Sequence, residues 1–397
     1  MKKEKKPNQL LRHEREIRGW SQSRLAELIG VDTSMISRWE CGERKPEHFY
    51  REKLCTLFGK NAVELGFLEQ AVPRQLPSVE KLSYATPFSS DTLRIGGLTI
   101  NVIVLARGRY GPKEIQCFYD GTAVPLLPEF ERMKQDLVAD LEQRKANGEA
   151  KIPHNAETYK LQEFSTGYRE MTNGKEVPVL RLKFGPTDYF TQMVTDLNLG
   201  NPIRERYAKA ATVTEHPVAA FASMLGINLN VITQDDYLIL TERSSQAFVA
   251  GDRFHTSVGE NLLRPTDAGP SGAPDPFRCA LRGAQEELGI PLQEEDVVFS
   301  TFTVIPDFCQ YSLIATTRIP QTRTEVKERW RFAVPCDKWE NRQLLFYPHT
   351  PDAIAQFTLS TWDRWFNVAL AAVVLSLLDG GYTKEQIDAA FSQARSK

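Results

Sequence analysis

The first sixty residues carry short groups of apolar side chains separated by charged ones. The apolar positions recur three and four residues apart, which is the spacing of one face of an α-helix. The predicted helices cover residues 8–19, 22–29, 33–40 and 47–58. Their predicted inward-facing side chains are Leu25, Ala26, Leu28, Ile29, Ile36 and Trp39.

Local signals predict where the second and third helices begin and end. Ser21 and Asp32 are residue types that accept hydrogen bonds from the free amides of a first helical turn, so both are predicted N-caps. Gly30 is predicted to end the second helix in the left-handed conformation. Two short helices joined by a glycine-containing turn form a helix-turn-helix pattern.

The rest of the chain mixes strand-like and helix-like patterns. Alternation predicts a strand at residues 98–105, and at residues 228–243 it predicts a strand, a turn and a second strand. Helical spacing predicts helices at residues 129–145 and 362–378. The sequence therefore predicts a multidomain protein with an all-α head and an α+β body.

Composition suggests the domain boundaries. Residues 69–92 contain Pro73, Pro77 and Pro87 among several serines, and this composition is typical of a linker. The predicted parts are a head at 1–68, the linker at 69–92, an accessory mixed α/β region without an assigned motif at 93–215, and a last domain with a C-terminal helix at 216–397.

Charge is unevenly distributed along the 397 residues. The formal net charge is −2, yet residues 1–60 hold 14 Lys or Arg against 9 Asp or Glu. A basic head on an acidic body indicates that only the head meets a polyanion. The six cysteines are scattered without a CxxC pair, which argues against a zinc site and a disulfide scaffold and favours a cytoplasmic location.

Neither a signal peptide nor a membrane span is predicted. The basic first residues are not followed by an apolar stretch. The longest apolar run, 366–378, is 13 residues long, which is too short to cross a bilayer, so it is predicted to form a buried helix.

The segment from Gly19 to Pro46 resembles the DNA-binding domain of the XRE family, the Cro and lambda-repressor type, because its turn, apolar and polar positions match together. The resemblance implies double-stranded DNA as the partner and a homodimer on a two-fold site. It implies that Gln22 holds a phosphate, that Thr33, Ser34, Ser37 and Arg38 face the major groove, and that Arg44 and Lys45 contact the DNA backbone. The alternative is a plain helical bundle with a basic solvated face.

Three segments of the body together resemble a Nudix domain. They are a strand-turn-strand at 228–243, a loop at 251–260 and a helix at 280–290. The family box reads G-x5-E-x7-R-E-U-x-E-E-x-G-U, where U is aliphatic, and its helical carboxylates hold a divalent cation, usually Mg²⁺, against a diphosphate. The residues that match this box are Gly259, Arg282, Glu286, Glu287, Gly289 and Ile290.

The first half of the box is broken. Gly283 stands where the first helical glutamate belongs, Pro274 stands where the earlier glutamate belongs, and the box glycine is about nine residues too far away, in an insertion at 261–276. Glu286 and Glu287 remain as candidate metal ligands. A further ligand is expected from Glu325 or Glu328, before a segment at 329–334 that resembles a later strand of the family, or from Asp267 or Asp275. The alternative for Arg282 and Glu286 is an ordinary surface ion pair four residues apart on a helix.

The sequence leads to three hypotheses about function. The first is a DNA-binding transcriptional regulator whose degenerate Nudix-like body senses a nucleotide-type ligand such as ADP-ribose or a nucleotide sugar. The second is a Mg²⁺-dependent Nudix-type pyrophosphatase with a DNA-binding module. The third is an adaptor that binds a partner protein. The first is preferred because a DNA-binding domain is joined to a Nudix-like box that lacks some of its catalytic residues.

Overall fold

The computed structural model describes residues 8–58, 60, 65–67, 92–149, 152–171, 176–244, 251–332 and 341–396. The chain divides into two compact units, Met1–Lys81 and Leu82–Lys397. The predicted linker, 69–92, lies outside the described residues except for Thr92.

The N-terminal unit is a bundle of short helices. They are α1 (Gln9–Ile17), α2 (Gln22–Ile29), α3 (Thr33–Glu40) and α4 (His48–Phe58). The predicted caps are confirmed, since Ser21 accepts a hydrogen bond from the Arg24 amide and Asp32 accepts one from the Ser34 amide. Gly30 ends α2 with φ +79°, as predicted.

The core of this unit contains most of the predicted apolar side chains. Leu25, Ala26 and Ile29 of α2 are buried, as are Ile36 and Trp39 of α3. The prediction for Leu28 is wrong, because this side chain is 39% exposed. It lies to one side of the stripe that the three buried positions of α2 form on a helix of 3.6 residues per turn.

The C-terminal unit is built on two mixed sheets. In the large sheet the order is β1-β2-β10-β11-β6-β7-β12, with β8 paired to β7 and β9 paired to β6, and in the small sheet it is β3-β5-β4. The strands are β1 (Thr92–Ile95), β2 (Leu98–Tyr110), β3 (Ile115–Tyr119), β4 (Glu157–Glu170), β5 (Glu176–Asp188), β6 (Leu225–Ile232), β7 (Tyr237–Arg243), β8 (Phe254–His255), β9 (Val258–Asn261), β10 (Val298–Ile305), β11 (Gln310–Arg318) and β12 (Asn341–Pro348).

Helices cover the large sheet and connect its strands. They are α5 (Pro128–Ala146), α6 (Tyr189–Val194), α7 (Pro202–Lys209), α8 (Pro276–Gly283), α9 (Arg323–Phe332), α10 (Pro351–Ser360), α11 (Asn367–Asp379) and α12 (Lys384–Arg395). A π-helical turn, Ala284–Leu288, continues α8 and ends at Gly289, whose φ is +70°. Short 3₁₀ turns lie at Glu294–Asp296 and Trp362–Arg364.

The two faces of the large sheet bury different cores. On β6, Leu225, Ile227 and Leu229 face the core that contains Phe277 and Ala280 of α8. The alternate residue Ile232 faces the core that contains the side chains of α10, α11 and α12. Almost every side chain of α11 is buried, so the predicted buried helix is confirmed.

Strands from both predicted parts of the body belong to the large sheet. β2, from the region 93–215, pairs antiparallel with β10, while β6 pairs parallel with β11. The second unit is therefore an α/β body with mixed sheets. Its Nudix-like character and the predicted domain boundaries stay predictions. Of the helices that the structure describes, none has the length and apolar character needed to cross a membrane.

Candidate functional sites

Helix α3 presents a polar face opposite the core of the N-terminal unit. Thr33, Ser34 and Arg38 are exposed, and Ser37 is half-buried. These four positions lie at i, i+1, i+4 and i+5, so they share one side of the helix. Short hydroxyls and one guanidinium on an exposed helix face are groups that reach base edges in a major groove.

The residues predicted to contact the DNA backbone differ in their surroundings. Arg44 and Lys45 are exposed after α3, and Arg44 forms a surface ion pair of 2.8 Å with Glu47. Such an exposed pair is weak and separates readily when a phosphate approaches. Gln22 instead donates its side-chain amide to Glu40 Oε2 at 2.8 Å, so in this structure it is directed towards the end of α3.

A buried ion pair, which the sequence reasoning missed, holds α1 to α3. Arg15 Nε donates to Glu40 Oε1 at 2.6 Å, and Arg15 Nη2 donates to Glu40 Oε2 at 3.0 Å. Arg15 Nη1 also donates to the Trp20 carbonyl. The signal that could have found this pair is the position of Arg15 four residues after the buried Leu11, on the inward face of α1.

In the body, Arg282 at the end of α8 forms ion pairs with three carboxylates. Its Nε and Nη2 form a two-pronged pair with the fully buried Asp267, at 2.9 and 3.0 Å. Its Nη1 lies 2.8 Å from Glu286 Oε2 and 3.2 Å from Glu260 Oε2. The contact between Arg282 and Glu286, whose alternative interpretation is an ordinary surface ion pair, is thus part of a larger, mostly buried cluster, which we call the Arg282 cluster (Glu260, Asp267, Arg282, Glu286 and Glu287).

Glu287 is anchored by hydrogen bonds to residues outside the cluster. Its Oε1 accepts from the Gly259 amide at 3.0 Å, and its Oε2 accepts from Asn341 Nδ2 at 2.9 Å. The Trp330 ring nitrogen donates to the Glu287 carbonyl at 3.2 Å. Two predicted site residues, Gly259 and Glu287, are therefore in direct contact.

The missing helical glutamate has a structural explanation. A Cβ atom on Gly283 would lie 2.5 Å from Val258 Cγ1 and 2.6 Å from Glu260 Cγ, so β9 packs directly against this point of α8. The side chain of Glu260 thus lies next to the position where the family pattern expects a glutamate. Sequence reasoning missed Glu260 as a cluster member because the contact joins a strand and a helix that are distant in sequence.

Burial and charge combine to perturb Glu260. Burial raises the pKa of Glu260 well above its usual value; Arg282 opposes the shift, and the charges of Glu287 and Glu286 add to it. For Arg282, burial lowers the pKa, but the hydrogen bonds with Asp267 and the charge of Glu260 outweigh it and raise the pKa. The cluster therefore carries an excess of negative charge around one permanent cation.

We expect the glutamate with the raised pKa to make the body less stable as pH rises. An acid whose pKa is raised by folding stabilises the folded state fully below its unfolded pKa, and this contribution is lost as pH rises towards the folded pKa. Between pH 5 and 9, the wild type should therefore lose stability relative to Glu260→Gln, measured by urea unfolding. Glu295→Gln, at an exposed position, is the control. A relative gain of wild-type stability with pH would contradict the raised pKa.

Gly283→Ala should destabilise the body by about 1–3 kcal/mol, because the added methyl group overlaps β9. In an unconstrained helix the same change stabilises by about 1 kcal/mol, so the sign itself is informative. In a Val258→Ala background the loss should be smaller, since one of the two overlapping side chains has been shortened. Urea unfolding of the three variants and the wild type measures this coupling, and equal losses in both backgrounds would contradict it.

The other candidate metal ligands lie elsewhere. Asp275 is the N-cap of α8 and accepts from the Phe277 amide at 3.0 Å. The segment at 323–332 is helix α9 rather than a loop before a strand, which corrects the expectation for Glu325 and Glu328. Both are exposed on this helix, and Glu325 accepts hydrogen bonds from Thr322 at its start.

The described residues do not fit the expected magnesium ion. Within the described part of the chain, no group of three His, Cys, Asp or Glu side chains is arranged to hold a metal. Arg282 binds the oxygens of Asp267 and Glu286, and Glu287 is held by Gly259 and Asn341. With their oxygens held in these contacts, the carboxylates of the cluster do not form the metal site that the Nudix resemblance implies.

Two cavities lie against the Arg282 cluster. The outer cavity, of about 470 Å³, is lined by Arg282, Glu286 and Glu287. The inner cavity, of about 350 Å³, extends over β6 and β11 to the first turn of α11. The residues that line both are His154, Gly259, Glu260 and Leu263. The body thus offers two adjoining cavities, and the outer one is lined by most of the charged side chains of the cluster.

Comparisons with known proteins identify the N-terminal unit. No curated protein matches the chain. Among solved structures, the chain is similar to a protein from Deinococcus radiodurans at 12% identity and a TM-score of 0.27, over 38% of this chain and 80% of that one. Residues 11–65 match the family model described as Helix-turn-helix. The N-terminal unit therefore contains an XRE-type helix-turn-helix DNA-binding domain.

Proposed function

We propose that this chain is a sequence-specific transcriptional regulator whose C-terminal body senses a nucleotide-type ligand. The observation that carries the proposal is the union, in one chain, of a helix-turn-helix domain with a body whose Arg282 cluster borders two adjoining cavities. In this proposal the protein acts in the cytoplasm as a homodimer on a two-fold DNA site, because one such domain makes few base contacts.

The matched box residues support a nucleotide-type ligand. Gly259, Arg282, Glu286 and Glu287, which the Nudix resemblance singled out, meet at these cavities in spite of the broken first half of the box. The ligand regulates DNA binding only if its affinity differs between the DNA-bound and free states of the protein. ADP-ribose and nucleotide sugars are the first candidates.

The test begins with selection of an operator from random duplexes by the full-length chain. Operator affinity is then measured with and without ADP-ribose or a nucleotide sugar. We expect affinity to fall as salt rises, since phosphate contacts release counterions, and to change at least severalfold when ligand is present. Failure to select any sequence at low salt would overturn DNA recognition, and an unchanged operator affinity with every nucleotide would overturn sensing.

Substitutions of two arginines in the DNA-binding domain should weaken DNA binding in different ways. Arg38→Ala should cost about 1–3 kcal/mol of discrimination at one base pair, because its guanidinium faces base edges. Arg44→Ala should weaken binding to all sequences alike and reduce the salt slope by about 1. Fluorescence anisotropy on the operator and on its single-base variants separates the two effects. A uniform loss for Arg38→Ala would place that side chain on the backbone instead.

A further inference from the structure

The inner cavity lies over a depression in the large sheet. Gly226 of β6 pairs with Ser312 of β11 on one side and with Asn261 of β9 on the other. A Cβ atom at Gly226 would lie 3.2 Å from Ser312 Oγ and 3.6 Å from Gln310 Nε2. Because glycine stands there, no side chain fills the space between these polar groups.

Ser312 brings an unsatisfied hydroxyl to this depression. Its side chain is 1% exposed, and its Oγ has no hydrogen-bond partner in the described structure. A buried hydroxyl without a partner is unfavourable, so such groups in folded proteins call for an explanation. A ligand in the inner cavity, which Ser312 lines, would supply the missing partner.

Apart from Arg243 and Glu260, the other polar groups of the inner cavity are mostly uncharged. They include the amides of Gln192, Asn228, Asn261 and Gln310. Burial, helped by the charge of Arg243, lowers the pKa of the lining residue His255 to about 3, so its ring is neutral. Amide side chains both donate and accept hydrogen bonds, which suits a neutral group that does the same.

Aromatic rings complete the walls. Tyr189 and Phe366 line the same cavity, and the volume of about 350 Å³ falls within the range of small-molecule sites. Aromatic faces favour planar rings, while amides and hydroxyls fix their orientation. The outer cavity is lined by four charged side chains of the Arg282 cluster, of which Glu260 also lines the inner cavity.

We propose that the inner cavity binds the uncharged nucleoside part of the ligand, and that Ser312 Oγ is a specificity-determining contact. This inference rests on the proposed function and deepens it, since it assigns one part of the ligand to one cavity. The nucleoside itself, without phosphate and without added metal, is then sufficient for measurable binding.

The experiment titrates the full-length chain with adenosine, guanosine, cytidine, uridine and ribose by calorimetry, in the presence of EDTA. We expect at least one nucleoside to bind, and Ser312→Ala to weaken that binding about three- to tenfold. The thermal midpoint of ligand-free Ser312→Ala should equal or exceed that of the wild type, because the removed hydroxyl has no partner. A purely structural serine would give a lower midpoint.

Ser376→Ala is the matched control. Ser376 is also a buried serine, but its Oγ donates to the Val373 carbonyl at 2.7 Å and contacts His349 Nε2. This variant should lower the midpoint and leave nucleoside affinity unchanged. If ribose binds as tightly as the best nucleoside, the cavity recognises the sugar alone, and the inference that it binds a nucleoside is overturned. Absence of nucleoside binding, or equal affinity in Ser312→Ala, would also overturn the inference.

Operator affinity in the same samples separates this inference from the proposed function. If nucleotides shift operator affinity equally in wild type and Ser312→Ala, sensing stands and the role of Ser312 fails. If nucleosides bind through Ser312 but neither they nor their nucleotides alter operator affinity, the cavity assignment stands and sensing fails.

Discussion

Arg282→Met will destabilise the C-terminal body by about 3–5 kcal/mol, the loss typical of leaving one side of a buried ion pair without its partner. Arg282 is only 11% exposed at its side chain and forms ion pairs with Asp267, Glu286 and Glu260. Methionine keeps much of the length of the side chain but removes the cation. Asp267 then remains a fully buried carboxylate without its two hydrogen bonds from the guanidinium.

The loss of stability in Arg282→Met will depend on pH, and the carboxylates of the cluster decide whether it grows or shrinks as pH rises. Arg282 opposes the upward shift of the Glu260 pKa, so without the arginine the folded pKa of Glu260 rises further and the folded variant holds this proton more tightly than the unfolded chain. Its stability is then greatest at low pH and falls as pH increases. Urea unfolding should show a smaller difference from wild type at pH 5 than at pH 8.

Arg278→Met is the control for this prediction. Arg278 lies one turn earlier on α8 and is exposed, and its side chain donates to the Ala268 carbonyl. Its replacement should change stability by no more than about 0.5 kcal/mol, as at most surface positions. Equal effects of the two substitutions, or an Arg282→Met loss that grows towards low pH, would show that Arg282 does not neutralise the cluster.

The helices of the DNA-binding domain were predictable because their signals are local. The bounds of α2 and α3 agree with the prediction because Ser21, Gly30 and Asp32 act within a few residues of themselves. By contrast, β2 was predicted to end at 105 and continues to Tyr110, which pairs with Phe299 of β10. That pairing, like the parallel pairing of β6 with β11, joins strands that are far apart in the sequence, so no periodic pattern of residues predicts it.

The candidate ligand site was predictable only where its residues share one helix. The resemblance to the Nudix box singled out Arg282, Glu286 and Glu287, which share one helical segment, but Glu260 enters from β9. Asp267 was among the possible substitute ligands, whereas the structure pairs it with Arg282. A helical repeat constrains neighbours three and four residues apart, and it carries no information about which strand packs against that helix.

The buried ion pair of Arg15 and Glu40 in the N-terminal unit also joins residues that are far apart in the sequence. Its loss is the second substitution with a large expected effect. Glu40→Gln should lower the unfolding free energy of that unit by about 3–5 kcal/mol and weaken operator binding. Glutamine keeps the shape of Glu40 but removes the charge that faces Arg15 at 2.6 Å. Because Glu40 is the last residue of α3 and also accepts from Gln22 at the start of α2, its loss loosens both helices of the DNA-binding motif.

Hydrogen exchange of the α3 amides in the full-length chain, together with operator affinity, measures this effect. Glu27→Gln is the control, since it breaks only an exposed pair with Arg24 and should have an effect below about 1 kcal/mol. Arg15→Met combined with Glu40→Leu should restore protection, because an apolar pair of similar volume leaves no buried charge. If that double variant regains stability and operator affinity together, the ion pair acts by positioning α3; if stability returns without affinity, the charge of the pair itself is needed for DNA binding.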